Sequence, residues 1–377
     1  MKAPLIALGL GLAASFGWPA EPSPAQAPYP LWDGKESVAD YARKTDLPPT
    51  KTLDLGNGVT MEFVLIPAGE FIMGTPAPVA PDEVGMAQKI IVGKALAAAS
   101  IGVLLVMVCV IVIRAIRGRH RPQYSLARFL VMMLVLGAGV LGATQWYLTS
   151  QRLAQEKAEY AAALARYRVA DRHEKPDHHV KIAAPFYMGR YEVTQTQYVQ
   201  LVGTNPSEYR GAQKPVQELT WHQAKGFCTK LGQRTGTAAQ LPSEAQWEYA
   251  CRAGTTTAYY SGDTEADLAR VAWYGCRWGN DNYPVGQKEP NAFGLYDMHG
   301  NAAEWCEDDW HDGYSGAPAD GSPWVDQPRG RSRIKRGGSS DFDPSCCRSA
   351  GRDGNLPDWP HGNYGFRVML PPSPRTP

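Results

Sequence analysis

Asn291-Ala-Phe-Gly-Leu-Tyr-Asp-Met-His-Gly-Asn-Ala-Ala-Glu-Trp305 decides how the rest of the chain is read. The stretch has neither the period of an amphipathic helix nor the alternation of a half-buried strand. Gly294 and Gly300 break it into turns, with aromatic, amide and acidic side chains between them. Such a segment is a structured loop whose backbone groups and carboxylate have defined partners. The bulk composition agrees. The 377 residues include 38 Gly, 30 Pro, 11 Trp and 18 Tyr, a mix that suits a loop-rich domain and argues against a helical bundle. A formal net charge of +1 gives no electrostatic case for a nucleic-acid or acidic partner.

Working outward, the N-terminus reads as a signal segment over 1–27. Lys2 precedes an apolar run from Leu5 to Ala14, and Ala25-Gln-Ala27 has the form of a cleavage site. Residues 28–50 read as a helix and linker: Trp32 to Leu47 is amphipathic, and Pro48-Pro49 end it. Within 90–148 lie two uncharged runs, Ala95–Ile113 and Phe129–Leu148, each about the 20 residues needed to cross hydrocarbon. Arg114, Arg117, Arg119, Arg121 and Arg128 separate them with no acidic residue, the mark of a cytoplasmic loop. The expectation is a two-helix transmembrane hairpin, with both flanks outside the cytoplasm, in the periplasm or at the cell surface. Residues 149–175 then read as a juxtamembrane helix, since Gln151 to Asp171 is rich in Ala, Glu, Lys, Arg and Leu.

The remainder reads as two parts of one domain, 51–80 and 176–371, followed by a tail at 372–377. Thr52 to Phe71 alternates like strands. Three capping-box starts, Thr194…Gln197, Thr220…Gln223 and Ser243…Gln246, precede runs that end at Gly203, Gly232 and Gly254. Pattern alone gives an irregular α+β domain.

Several segments in one order carry a resemblance: Met61–Gly74, Pro185–Thr194, Gln240–Gly254, Pro284-Val-Gly286, the opening stretch, Arg336-Gly-Gly-Ser339, Arg352 and Gly365-Phe-Arg367. Together they resemble the formylglycine-generating enzyme, or sulfatase-modifying factor, family. The fold this implies is α+β, irregular and C-type-lectin-like, here interrupted by the transmembrane hairpin. Because family-like sequence stands on both sides of the hairpin, both sides must share one compartment, which an even number of spans satisfies.

The resemblance also implies a calcium site at Asn301, Glu304 and backbone groups of Gly300 and Ala302, and oxygen donors suit that hard cation. The family's second calcium loop would fall between Ala269 and Pro284, where Asn280 and Asp281 are the oxygen ligands and Arg270 and Arg277 stand against it. Active-site positions of the family match Ser339, Trp305, Arg352, Asn363 and Cys347. The oxidase binds Cu(I) between two thiolates five positions apart after the Gly-Gly-Ser, and soft thiolates select that ion. Counting from Gly337-Gly-Ser339 puts Cys347 at the second position but Phe342 at the first, whereas counting back from Arg352 makes the segment about three residues shorter than in the oxidase, so that Cys347 need not match the catalytic cysteine. Cys346 and Cys347 are adjacent, so in an extended chain they point to opposite faces and make poor joint copper ligands. Cys347 is then structural, paired with Cys251 or buried free. His173, His178 and His179 lack a metal-ligand spacing and read as structural. Two functions follow: an oxidase acting on the cysteine of a sulfatase or other exported protein, or a lectin-fold-like module binding a peptide, glycan or partner protein without oxidase chemistry.

Overall fold

A computed structural model of the chain describes residues 29–77, 80–116, 126–169, 172–275 and 282–372. The signal segment 1–27, Arg117, Arg119 and Arg121, Cys276, Asn280, Asp281 and the tail beyond Pro372 lie outside the described residues. Strands β1 (Thr50–Gly56) and β2 (Val59–Ile66) form an antiparallel hairpin. Asn57 and Gly58, both at positive φ, make its turn, as a tight hairpin requires. β2 pairs with β5 (Phe186–Gly189), and β5 with β10 (Met369–Leu370), so the two chain ends of the domain share one sheet. The second sheet holds β8 (Arg352–Asn355), β7 (Arg333–Arg336), β6 (Ala303–Asp309) and β9 (Tyr364–Gly365), with β6 and β9 parallel.

β3 (Gly69–Met73) and β4 (His178–Ile182) pair antiparallel, with Met73 opposite His178. Everything between them is an insertion into a strand hairpin. Its described helices are α2 (Glu83–Ile116) and α3 (Leu126–Val169), followed by a 3-10 turn at Arg172–Glu174. A Cβ at Gly142 would lie 2.9 Å from Leu96, and one at Gly139 would lie 2.6 Å from Ser100. As α2 advances the contacts in α3 recede, so the helices run antiparallel, closely spaced by small residues. α3 is one continuous helix from the second apolar run into the stretch read as a juxtamembrane helix. Among the described residues one segment, Gly85–Val110, is long and apolar enough to cross a membrane by length and composition.

Shorter helices cover the sheets: α1 (Val38–Thr45), α4 (Gln195–Val202), α5 (Trp221–Thr235), α6 (Glu244–Arg252) and α7 (Glu265–Val271). α1 starts later than the amphipathic pattern suggests, because Asp33 accepts the N–H groups of Lys35 and Glu36 in a turn and Ser37 caps the helix. All three expected capping boxes form, at Thr194, Thr220 and Ser243. A fourth, Thr264 with Asp267, starts α7. Two helix ends differ from expectation: α5 runs past Gly232 to its cap at Gly236, and α6 is capped by Ala253. Gly232 serves a close approach instead, since a Cβ there would lie 2.6 Å from the Thr237 carbonyl. Apolar residues gather into one core around Phe63, Phe227, Trp305 and Phe366, and a second around Trp247, Leu295 and Ile334.

Candidate functional site

The opening stretch folds as a loop ending in β6, wired from both sides. Asp297 and Asn301 sit at φ +59° and +64°. Gly300 sits at +149° with no room for a side chain, because a Cβ would meet the Trp273 carbonyl at 2.2 Å. Asn301 uses its side chain fully: Nδ2 donates to Glu192 at 2.7 Å, and Oδ1 accepts from the Tyr283 N–H at 2.9 Å. Glu192 also accepts from the Ala302 N–H at 2.8 Å.

The donor set expected for calcium does not fit that cation. Glu304 is 1 % exposed, and Arg367 donates to both of its oxygens at 2.6 Å. Trp247 Nε1 donates to the same carboxylate at 2.7 Å. A guanidinium that grips both carboxylate oxygens occupies the face an ion would need. Among the described residues no grouping of three or more His, Cys, Asp or Glu is placed to hold a metal ion. The oxygen left over belongs to Asp297, whose Oδ1 is buried without a partner while Oδ2 accepts from the Gly286 N–H at 2.7 Å. Glu192, Asp297 and Glu304 thus lie buried beside a single Arg367. Protonation relieves the excess charge. Burial raises the Asp297 carboxyl to about 6, and burial with its acidic neighbours pushes Glu192 well above the usual carboxylate range.

The second half of the site is the turn Pro344–Cys347. Cys347 is fully buried, hydrogen-bonded by the Ser339 backbone, and burial followed by the neighbouring Cys346 pushes its thiol far up. A sulfur held as thiol is a poor nucleophile and a poor Cu(I) ligand. Phe342 packs with Tyr259, Leu268, Val271 and Cys347 in a small apolar cluster. Cys346 is exposed. Of the two states expected for Cys347, pairing with Cys251 or burial as a free thiol, the structure has the second, and Cys251 is a buried free thiol too. His299 takes the space: Nδ1 lies 2.8 Å from the Cys347 carbonyl oxygen, and the ring nitrogens lie 3.9 Å from the Cys251 sulfur. The Tyr260 N–H donates to Nε2 at 2.9 Å, so Nδ1 carries the proton. Burial lowers His299 to about 3, keeping it neutral.

The structure brings Ser339 to Cys347 but disperses the other candidates. Ser339 Oγ donates to Asp341. Trp305 is buried, with Nε1 donating to the Leu219 carbonyl at 3.2 Å. Arg352 pairs with Glu244 through two hydrogen bonds of 2.8 and 2.7 Å. The Asn363 carbonyl accepts the Ala303 N–H at 2.8 Å, and its side-chain Oδ1 is buried without a partner. His173 packs edge-on against Trp310, His178 against Tyr314, and His179 sits 3.3 Å from Glu70. Glu192, Arg367 and Asp297 lie in the stretches that carry the resemblance but are not among the site residues expected from the sequence. Their signal was charge set among apolar neighbours, in Tyr191-Glu-Val193 and Phe366-Arg-Val368.

A cleft of about 140 Å³ opens beside Cys347, between Thr75 and Pro76 after β3, Thr257 and Ala258 after α6, and Arg348 and Ala350. Its two arginines, Arg252 and Arg348, are each paired with a buried glutamate, Glu248 and Glu174.

A family model described as the Sulfatase-modifying factor enzyme 1-like domain matches residues 157–371. The chain belongs to that family. Among curated relatives, the formylglycine-generating enzyme of Bos taurus is 34 % identical over 177 residues, covering 43 % of this chain and 45 % of the bovine protein. The chaperone protein LppX of Paenibacillus barcinonensis is 31 % identical over 178 residues, covering 33 % of this chain and 62 % of LppX. The chain therefore spans about half the length of these relatives. Among solved structures, PvdO from Pseudomonas aeruginosa aligns with a TM-score of 0.55 over 86 % of this chain and 99 % of PvdO, at 24 % identity. That likeness speaks for the fold. The domain of this family is thus mixed helix and strand, and irregular.

Proposed function

We propose that this protein is a membrane-anchored, extracytoplasmic member of the sulfatase-modifying factor family that binds a peptide, glycan or exported partner protein and does not act as a copper oxidase. The observation that carries this reading is the state of the thiols. Cys347 is buried as a thiol against Phe342, and its neighbour in sequence, Cys346, is exposed. An oxidase of the formylglycine-generating kind needs two thiolates on one Cu(I), and function resides in the site and not in the fold. The anchor is supported by α2 and α3, which turn Leu105, Val106, Leu134 and Leu141 outward, each at least 60 % exposed, where a soluble helix would carry polar groups. The arginines at 114–128 support a cytoplasmic turn between the two helices.

The relative named formylglycine-generating enzyme supplies the competing reading, oxidation of a sulfatase cysteine. A Cu(I) titration against a competing chelator, run beside mass spectrometry of a sulfatase-derived peptide, separates the two. Weak copper binding and an unmodified peptide are expected. Formylglycine formation that disappears in Cys347→Ser would establish the oxidase.

A further inference from the structure

The insertion leaves the domain after β3 and returns just before β4, and three arginines hold its two roots. Arg348 Nη1 and Nη2 donate to the two oxygens of Glu174 at 2.7 and 2.6 Å. Arg352 Nη1 donates to the His173 carbonyl at 2.9 Å. Arg252 Nη2 donates to the Gly74 carbonyl at 2.9 Å. The roots also bind each other. Thr75 Oγ1 donates to Glu174 at 2.6 Å, and the Thr75 N–H donates to the Glu174 carbonyl at 3.2 Å. Glu174 is 1 % exposed, and a Cβ at Gly74 would meet its carbonyl at 2.5 Å. Arg348 directly follows Cys347, and Arg352 begins β8. The root that leaves β3 and Arg348 line the same cleft.

We propose that Glu174 is a latch through which the α2–α3 insert controls the Cys346–Arg352 segment. Latched, the bidentate pair holds Arg348 against the root, keeps Cys347 sealed and fixes one wall of the cleft to the other. Displacement of the insert relative to the domain pulls Glu174 from Arg348. The segment then loosens, because a buried pair broken on one side leaves an uncompensated charge. The insert thereby acts as a strap as well as an anchor. These contacts lie within the fold and hold Arg348 whether or not the domain has oxidase chemistry.

The test uses the full chain in detergent, in a Cys346→Ser background, with a small alkylating reagent and peptide mass spectrometry. Cys347 alkylation reports local opening. Cys228, a buried free thiol on α5, reports global opening, since local and global openings differ in free energy. Glu174→Gln is expected to raise the Cys347 rate about tenfold or more while leaving Cys228 unchanged. Arg348→Lys, which keeps the charge but loses the two-point contact, is expected to give an intermediate rate. If Glu174→Gln does not fold, Thr75→Val removes one tie and is expected to raise the Cys347 rate by a smaller factor. No acceleration at Cys347, or equal acceleration at Cys347 and Cys228, overturns the latch.

Discussion

Asp297 shows how one residue sets the sign of a pH effect. Its folded value of about 6 stands above the ordinary 3.8. A carboxyl raised on folding stabilises the native state when protonated, so its contribution is fullest below about pH 4 and is lost as pH rises through 6. The gap corresponds to about 3 kcal/mol. Asp308, raised by burial and Glu244 to about 8, extends the same trend to higher pH. The melting temperature should therefore fall between pH 5 and pH 8. Asp297→Asn should recover roughly 3 kcal/mol at pH 8, about half of that at pH 5 and little at pH 4, read by thermal melting in detergent at the three values. A chelator should leave the unmodified protein's melting temperature unchanged, and a drop on chelation would restore the calcium site. Gly338 is a second residue whose identity is dictated. It sits at φ +70°, and a Cβ would come within 2.6 Å of the Cys347 sulfur. Gly338→Ala should cost about 2 kcal/mol or more from backbone strain and the clash. Adding Cys347→Ala should relieve the clash with the sulfur but not the strain, which a double-mutant cycle resolves.

At the scale of the element, the helices were the most legible part of the chain, because their start signals are local. Thr220 and Gln223 reach each other's backbone within one turn, so a four-residue pattern specifies them without knowledge of the fold. Thr220→Ala should remove one side of that box and cost about 1 kcal/mol, seen as a fall of a few degrees in melting temperature. Helix ends were less legible. Gly232 reads as a stop but answers to the Thr237 carbonyl, a contact made only after the chain folds back. The loop at 291–305 was recognisable by residue order, yet its wiring was not. Glu304 looks like a cation ligand until Arg367, from the far end of the chain, arrives to take both oxygens. Cys251 and Cys347 look like a pair until His299 fills the space between them. In each case the deciding partner is distant in sequence, and no local pattern encodes it.

Over the whole molecule, the insertion point constrains how the chain meets a membrane. β3 and β4 are hydrogen-bonded neighbours with Met73 opposite His178, so the chain leaves and re-enters the domain at adjacent points on the same side. If the insert enters a membrane, only an even number of crossings returns the chain there, as the proposed pair of spans in the antiparallel α2 and α3 would give. The first sheet adds a second requirement. β2 lies before the insertion and pairs with β5 after it, and β10 near Met369 closes on β5. These strands must meet in one compartment for the sheet to form. In the proposed topology the arginines at 114–128 lie on the cytoplasmic side, which puts the sheet outside. An alkaline phosphatase fused after Leu370 should therefore be active, and a reporter that works only in the cytoplasm should be silent at the same point. Replacing Arg114, Arg117, Arg119, Arg121 and Arg128 with Gln should weaken this orientation and move activity toward the cytoplasmic reporter. A cytoplasmic signal after Leu370 in the unmodified chain would show that the domain folds on the other side, with the hairpin inserted in reverse or lying outside the bilayer.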